Sequence, residues 1–221
     1  MAIPKTQDLF DLSFSHAGEL LRQCEYPWEA LAQIAGFIIK LGESLPEDEY
    51  IRHGEGIWIS KSANVAPSAS VAAPCIIGAG AEVRHCAFIR GAALIGRGAV
   101  LGNSCEIKNS ILFDGAQAPH FNYIGDSILG RGAHMGAGAI TSNLKSDKTL
   151  IAVKSGTDTI ETGLKKIGAM LGDFVEIGCN SVLNPGSIVG RGTSVYPLSS
   201  VRGVIPENSI YKGGGMVIAK R

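Results

Sequence analysis

The stretch ISKSANVAPSASVAAPCIIGAGAEVRHCAFIRGAALIGRGAVLGNSCEIKNSILF, residues 59–113, places a large apolar side chain at every sixth position: Ile59, Val65, Val71, Ile77, Val83, Ile89, Ile95, Leu101, Ile107 and Phe113. Four residues after each stands a second column: Ala63, Ala69, Cys75, Ala81, Ala87, Ala93, Ala99 and Cys105, then the larger Ile111 and Gln117. Residues an even number apart in a strand share a face, so each column stays on one side of its strand. A helix of 3.6 residues per turn cannot hold a strict six-residue spacing on one face. Three short strands joined by tight corners therefore make a triangular coil of about 18 residues, stacked on the next as in other solenoids. The large column fills the interior and the small column lies where space is short. A content of 29 glycines and only 6 % aromatic residues suits a narrow core with many corners.

Beyond Phe113 the phase slips. The next clean run is Tyr123, Leu129, Met135 and Thr141, with Ala133 and Ala139 in the small column, so a departure from the regular coil is expected at Gln117–Phe121. Residues 144–166 do not repeat, and the phase returns at Leu171, Ile177, Leu183, Val189, Val195 and Val201. A long insertion in a solenoid projects as a loop, and loops on rigid scaffolds often carry function. Upstream, Trp28, Leu31, Ile34, Phe37, Ile38 and Leu41 recur at helical spacing, with Pro27 suited to a first turn and Gly42 to a C-terminal stop. This helix is expected to cover the open first coil, because an uncapped edge invites aggregation. The organisation read from the chain is thus a helical cap over 1–52, the β-solenoid with its insertion over 53–206, and a tail over 207–221.

Composition excludes several classes. Formal net charge is zero, against the basic excess of a nucleic-acid binder. No apolar run approaches the ~20 residues that span a bilayer. The opening MAIPKTQDLFDLSF shows no charged stretch followed by an apolar one, so no secretory signal is expected. Five cysteines without a CxxC pair then read as reduced thiols, which places the chain in the cytoplasm. The histidines His16, His53, His85, His120 and His134 form no closely spaced pair, so no zinc site is expected. No GxSxG occurs, and the glycines do not form a dinucleotide fingerprint.

The segment RGAALIGRGAVLGNSCEIKNSILFDGAQAPHFNYIGDSILGRGAHMGAGAITSN, residues 90–143, carries R-x-G-A-x-L, G-N-x-x-E-x-K, H-x-x-Y-x-G-D and G-A-G-x-I-T-x-N in that order. It resembles the acetyltransferase domain of bifunctional glucosamine-1-phosphate acetyltransferase/N-acetylglucosamine-1-phosphate uridyltransferase. TGLKKIGAMLGD, residues 162–173, resembles the equivalent loop exit in archaeal-type sugar-1-phosphate nucleotidyltransferases with the same domain. The likeness extends over 59–206, and the residues before the repeat are too few for a nucleotidyltransferase domain. It implies a left-handed parallel β-helix built of hexapeptide repeats, although most parallel crossovers are right-handed and the spacing itself sets no hand.

The resemblance also implies roles. His120 matches the base that takes a proton from the sugar amine. Arg90 and Lys108 match the cations on the sugar phosphate, and Tyr123 and Asn143 match sugar contacts. Ala137 matches a backbone position beside the acetyl group of acetyl-CoA. His134 stands in place of a sugar-contacting asparagine, Cys179 in place of a serine near the coenzyme, and Pro197 in place of a small coenzyme contact. The implied assembly is a homotrimer with sites between subunits and the long loop reaching across to a neighbour. These residue types suit the reaction: imidazole titrates near neutrality, and fixed cations hold a phosphate.

Each residue also has a structural reading. Tyr123 falls in the inward column and would then be core. Arg90 and Lys108 follow inward residues, so both should point outward, where a cation is usually solvated. Asn143 would serve equally as a corner residue. The expected function is transfer of an acetyl group from acetyl-CoA to the amine of glucosamine- or galactosamine-1-phosphate, for UDP-N-acetylglucosamine biosynthesis. The alternatives are an N-acyltransferase on a nucleotide-linked amino sugar, and a non-catalytic trimer that binds a sugar nucleotide or a partner.

Overall fold

In the computed structural model, which describes residues 2–220, the chain winds into a parallel β-solenoid with three flat faces. Face 1 starts at Ile57–Ser60, face 2 at Asn64–Val65 and face 3 at Ser70–Val71. The sheets contain nine, nine and seven strands, and every strand pair between coils is parallel. The architecture is the parallel β-helix expected from the repeat, of the left-handed kind that the resemblance implied.

Register through the first coils follows the six-residue column, with Ile59 opposite Ile77 and Ile77 opposite Ile95. The column then changes phase earlier than its spacing suggests. Ile95 pairs with Leu112, not Phe113, because the corner after Lys108 is one residue shorter and turns through Asn109 at φ 44°. A second short corner at Asp126 (φ 49°) sets Leu112 opposite Leu129. The inward residues here are therefore Leu112, Ala118, Ile124 and Leu129. Phe113 points outward, its ring 5.0 Å from that of Phe10. Ile111 and Gln117 leave the small column, where Ser110, Ala116 and Asn122 stand instead. Gln117–His120 is no departure from the coil but a face 2 strand, paired in register with Val100–Asn103.

The helical segment does not cap the open end. Pro27–Ala30 is a 3-10 turn, and the α-helix proper is Ile34–Gly42. Trp28, Leu31, Ile34 and Ile38 pack on the outer side of face 1, against Ile76, Leu94, Ile111 and Ile128. Further along, the inserted segment closes at its neck through a Leu144–Lys166 bridge and forms a hairpin, Ala152–Ser155 with Asp158–Glu161. Its buried Ile151 and Val153 join Met170, Ile188 and Val204 on the same outer side. The insertion thus commits Ile151 and Val153 to its own chain and leaves Leu144 and Leu150 exposed. Asp173 fastens the N-terminal segment to the solenoid. Its buried carboxylate accepts from Asp11 N (2.7 Å), Arg131 N (2.8 Å) and Arg191 Nη2 (2.8 Å).

At the far end the repeat runs past Pro206. Tyr211 is inward beside Val195, and Val217–Ala219 folds back antiparallel on Ser209–Tyr211. The consequence for function is that face 1 is covered on its outer side. Faces 2 and 3, and the edge between them, carry exposed apolar side chains: Phe88, Phe121, Ile140, Val182, Tyr196 and Leu198.

Candidate active site

The corner from face 2 to face 3 turns through a left-handed residue in six successive coils: Cys86, Ser104, Phe121, Gly138, Asn180 and Leu198 all have φ between 52° and 71°. His120, Ala137, Cys179 and Pro197 each stand one residue before such a turn. Four positions spread over 78 residues of sequence are thereby stacked along one edge. Main-chain bonds join successive corners: Gly138 N donates to His120 O, Asn180 N to Ala137 O and Leu198 N to Cys179 O. His120 is exposed at the end of its strand and in register with Asn103.

The His120 corner is held from inside by Asn122, only 2 % exposed. Its Oδ1 accepts from His120 N (3.2 Å), and its Nδ2 donates to Gly136 O (2.8 Å) and Ala139 O (3.1 Å). One amide therefore sets the spacing between the His120 and Ala137 corners. The six-residue column taken through Phe113 leaves Asn122 outside the small column; with Leu112 inward, position 122 falls in it.

Face 3 carries the next group. Tyr123 is outward, not core, because Ile124 takes the inward position. Asn143 Nδ2 donates to the Tyr123 hydroxyl (3.3 Å) and to Asp126 Oδ2. Lys108 Nζ also lies on Asp126 Oδ2 (3.1 Å), and Asn109 Nδ2 donates to Oδ1 (2.9 Å). Asp126 is 4 % exposed, and a buried carboxylate keeps its charge only with such partners. It is the hub that orients Lys108 and Asn143. The motif H-x-x-Y-x-G-D contains it, yet no role had been read for it. Arg90 is exposed and pairs with Glu106 at 2.6 Å, whose carboxylate holds the guanidinium firmly protonated. Neither cation is therefore simply solvated.

His134 lies apart, on face 2, with Nδ1 3.0 Å from Glu176 Oε2. Of the loop lysines, Lys154 shares a cavity of 630 Å³ with Lys145 and Arg202, on the edge between faces 3 and 1. The structure thus collects His120, Ala137, Cys179 and Pro197 on one edge, and Arg90, Lys108, Tyr123 and Asn143 on the adjoining face. Ala137 N–H has no acceptor among the described residues, and is available to an incoming oxygen. Pro197 has no N–H to offer. Among the described residues no cluster of three or more His, Cys, Asp or Glu is placed to hold a metal, and no helix is long and apolar enough to cross a membrane.

A bifunctional sugar-1-phosphate nucleotidylyltransferase/acetyltransferase of Sulfurisphaera tokodaii is 34 % identical over 92 residues, covering 42 % of this chain and 23 % of that protein. The bifunctional protein GlmU of Methanococcus maripaludis is 32 % identical over 117 residues, covering 52 % and 28 %. The chain thus spans about a quarter of these relatives' length. Among solved structures, a mutant of AntD, an N-acyltransferase from Bacillus cereus in complex with an amino-sugar nucleotide and coenzyme A, is similar over 81 % of this chain and 89 % of its own, at 18 % identity and a TM-score of 0.40. The family model for the GMPPB C-terminal domain matches residues 71–210, well over half of the molecule, and the chain belongs to that family.

Proposed function

We propose that this protein is an acyl-CoA-dependent N-acetyltransferase that acetylates the amine of a hexosamine 1-phosphate, with His120 as general base. The observation that carries the reading is the stacking of His120, Ala137, Cys179 and Pro197 on one edge, beside the Arg90–Lys108–Tyr123–Asn143 face. The edge is long and open, which suits an extended thioester, and its His120 end adjoins two cations suited to a phosphate.

The chemistry follows from the residues. An ammonium has no lone pair, so one proton must leave before the nitrogen attacks the thioester carbonyl. Neutral imidazole at His120 accepts that proton as the N–C bond forms, and returns it to the departing thiolate as the C–S bond breaks. The Ala137 N–H is placed to stabilise the carbonyl oxygen as it gains charge. Arg90 and Lys108 hold the sugar phosphate, with Asp126 and Glu106 keeping them oriented between turnovers.

The active assembly is a homotrimer. Face 1 is already covered, whereas faces 2 and 3 and their shared edge expose Phe88, Phe121, Ile140, Val182, Tyr196 and Leu198. Residues this open make a site only when a second copy closes it. His134, paired with Glu176, stands where the resemblance has a sugar-contacting asparagine. A different contact at that position leaves an N-acyltransferase on a nucleotide-linked amino sugar as the second reading.

Thiol release from acetyl-CoA, measured with glucosamine 1-phosphate, galactosamine 1-phosphate and nucleotide-linked 4-amino sugars, separates the two. Turnover with a hexosamine 1-phosphate that disappears in His120→Ala supports the proposal. Turnover confined to nucleotide-linked sugars supports the second reading. Ligand binding without thiol release for any amine would leave a non-catalytic binding protein.

A further inference from the structure

The edge that holds His120 carries another cluster two coils earlier. Cys86 Sγ lies 3.2 Å from His85 Nε2, and His85 Nδ1 lies 2.7 Å from Ser68 Oγ. We infer that Ser68, His85 and Cys86 form a second nucleophilic centre, in which Cys86 accepts the acyl group of an acyl thioester. The inference rests on the acyl-CoA part of the proposed function and on no feature of the amine site.

Three side chains in the order nucleophile, base and orienting group are what activates a thiol. The ring bridges Ser68 and Cys86, and the main chain of His85 is anchored to the next coil: its carbonyl accepts from Ser104 N and Asn103 Nδ2, both at 3.2 Å. Ser68 also accepts from Cys86 N (3.2 Å), as Ser62 does from Gly80 N and Ser181 from Ser199 N. That staple recurs at other corners and explains the serine alone. It does not explain a histidine bridging the serine to an exposed sulfur.

The other cysteines supply the contrast. Cys24, Cys75 and Cys105 are buried, and burial pushes their thiols up, that of Cys75 to about 12. Cys179 is exposed on the same edge, but its sulfur has no hydrogen-bond partner among the described residues. With coils about 4.8 Å apart, the Cys86 corner lies roughly 10 Å from the His120 corner on the same edge, on the side away from Ala137, Cys179 and Pro197, so a thioester reaches Cys86 by binding two coils further along that edge.

The step is an exchange that needs no oxidant. A bond forms between Cys86 Sγ and the acyl carbon, and the bond from that carbon to the coenzyme sulfur breaks. The thiol proton passes to His85 Nε2 and from there to the leaving thiolate.

The test uses the full chain. Iodoacetamide at pH 7, read by peptide mass spectrometry, compares Cys86 with Cys179 in the same molecules; Cys86 should react at least ~10-fold faster, and His85→Gln should remove the advantage. Acetyl-CoA without an amine should leave a hydroxylamine-labile acetyl group on Cys86, and His120→Ala should retain it. Equal alkylation of the two cysteines overturns the inference and needs no variant to fold. Fast alkylation with no acetyl adduct overturns it as well. Absence of amine turnover in the sugar panel leaves the alkylation comparison untouched, so the two readings fail separately.

Discussion

A single methyl group at Gly102 tests whether the edge that carries His120 is set by close contact between coils. Gly102 lies in the face 2 strand Val100–Asn103, beside the strand that ends at His120. An alanine Cβ there would fall 1.6 Å from Pro119 O and 2.0 Å from its carbonyl carbon. Real contacts of this kind are essentially never under 3.0 Å, and the obstacle is backbone rather than a side chain that can swing away. The Pro119 carbonyl must therefore retreat by about 1.4 Å in an interior packed as densely as a crystal. His120 is the next residue and moves with it, which also loosens the 3.2 Å bond from its N–H to Asn122. A misplacement of about 1 Å can cost on the order of 100-fold in rate, so kcat of Gly102→Ala should fall about 100-fold, with a stability loss of ~1–3 kcal/mol from overpacking. Gly36→Ala is the control: nothing lies within 4 Å of its Cβ on the helix Ile34–Gly42, and the substitution should add roughly 0.5–1 kcal/mol of stability with unchanged kcat. The assay is thiol release at saturating substrates, paired with urea unfolding. A Gly102→Ala protein with wild-type melting and kcat within about threefold of wild type would refute the reasoning.

Asn122→Ala leaves the Gly136 and Ala139 carbonyls without their donor, so urea unfolding should register a loss of about 1–3 kcal/mol, and steady-state kinetics a fall in kcat exceeding any rise in KM. Asp173→Ala strands two backbone N–H groups and Arg191; about 3–5 kcal/mol of stability should go, measured by urea, while kcat at 25 °C persists because the residue is on the corner between faces 1 and 2. His16 is held below the usual imidazole range by burial first and then by Arg97. The unfolded chain therefore binds the extra proton first, so its contribution to stability is present above about pH 6.5 and is lost as pH falls below that value. Unfolding free energies measured between pH 7.5 and 5.5 should fall less steeply in His16→Gln, and parallel slopes would contradict this.

The legible part of the site was legible because it lay in a contiguous motif. The resemblance carried by those motifs implied His120, Tyr123 and Asn143, and the structure has them on neighbouring corners and strands. For Tyr123 the six-residue column offers an inward position beside the outward one of a sugar contact, and in the structure Ile124 takes the inward position. Period six is a statement about faces, and one deleted residue at a corner turns every later side chain through to the other side. The two short corners at Asn109 and Asp126 did this, putting Phe113 and Tyr123 outside and Asn122 inside. Nothing in the local composition marks a corner of four residues rather than five.

What the amino-acid sequence determined by itself is the solenoid: a period of six in large and small side chains has no other compact solution, since burial alternates with the strand and not with the helix. Tertiary structure alone decided which faces stay open. The helices at the start and the hairpin between Leu144 and Lys166 are far apart in the chain, yet both carry an apolar stripe that face 1 buries. Their choice of that face depends on the outward residues Ile76, Leu94, Ile111, Ile128 and Ile188 lining up across coils. That alignment exists only once the register is set, and with it the exposure of the edge on which His120 stands.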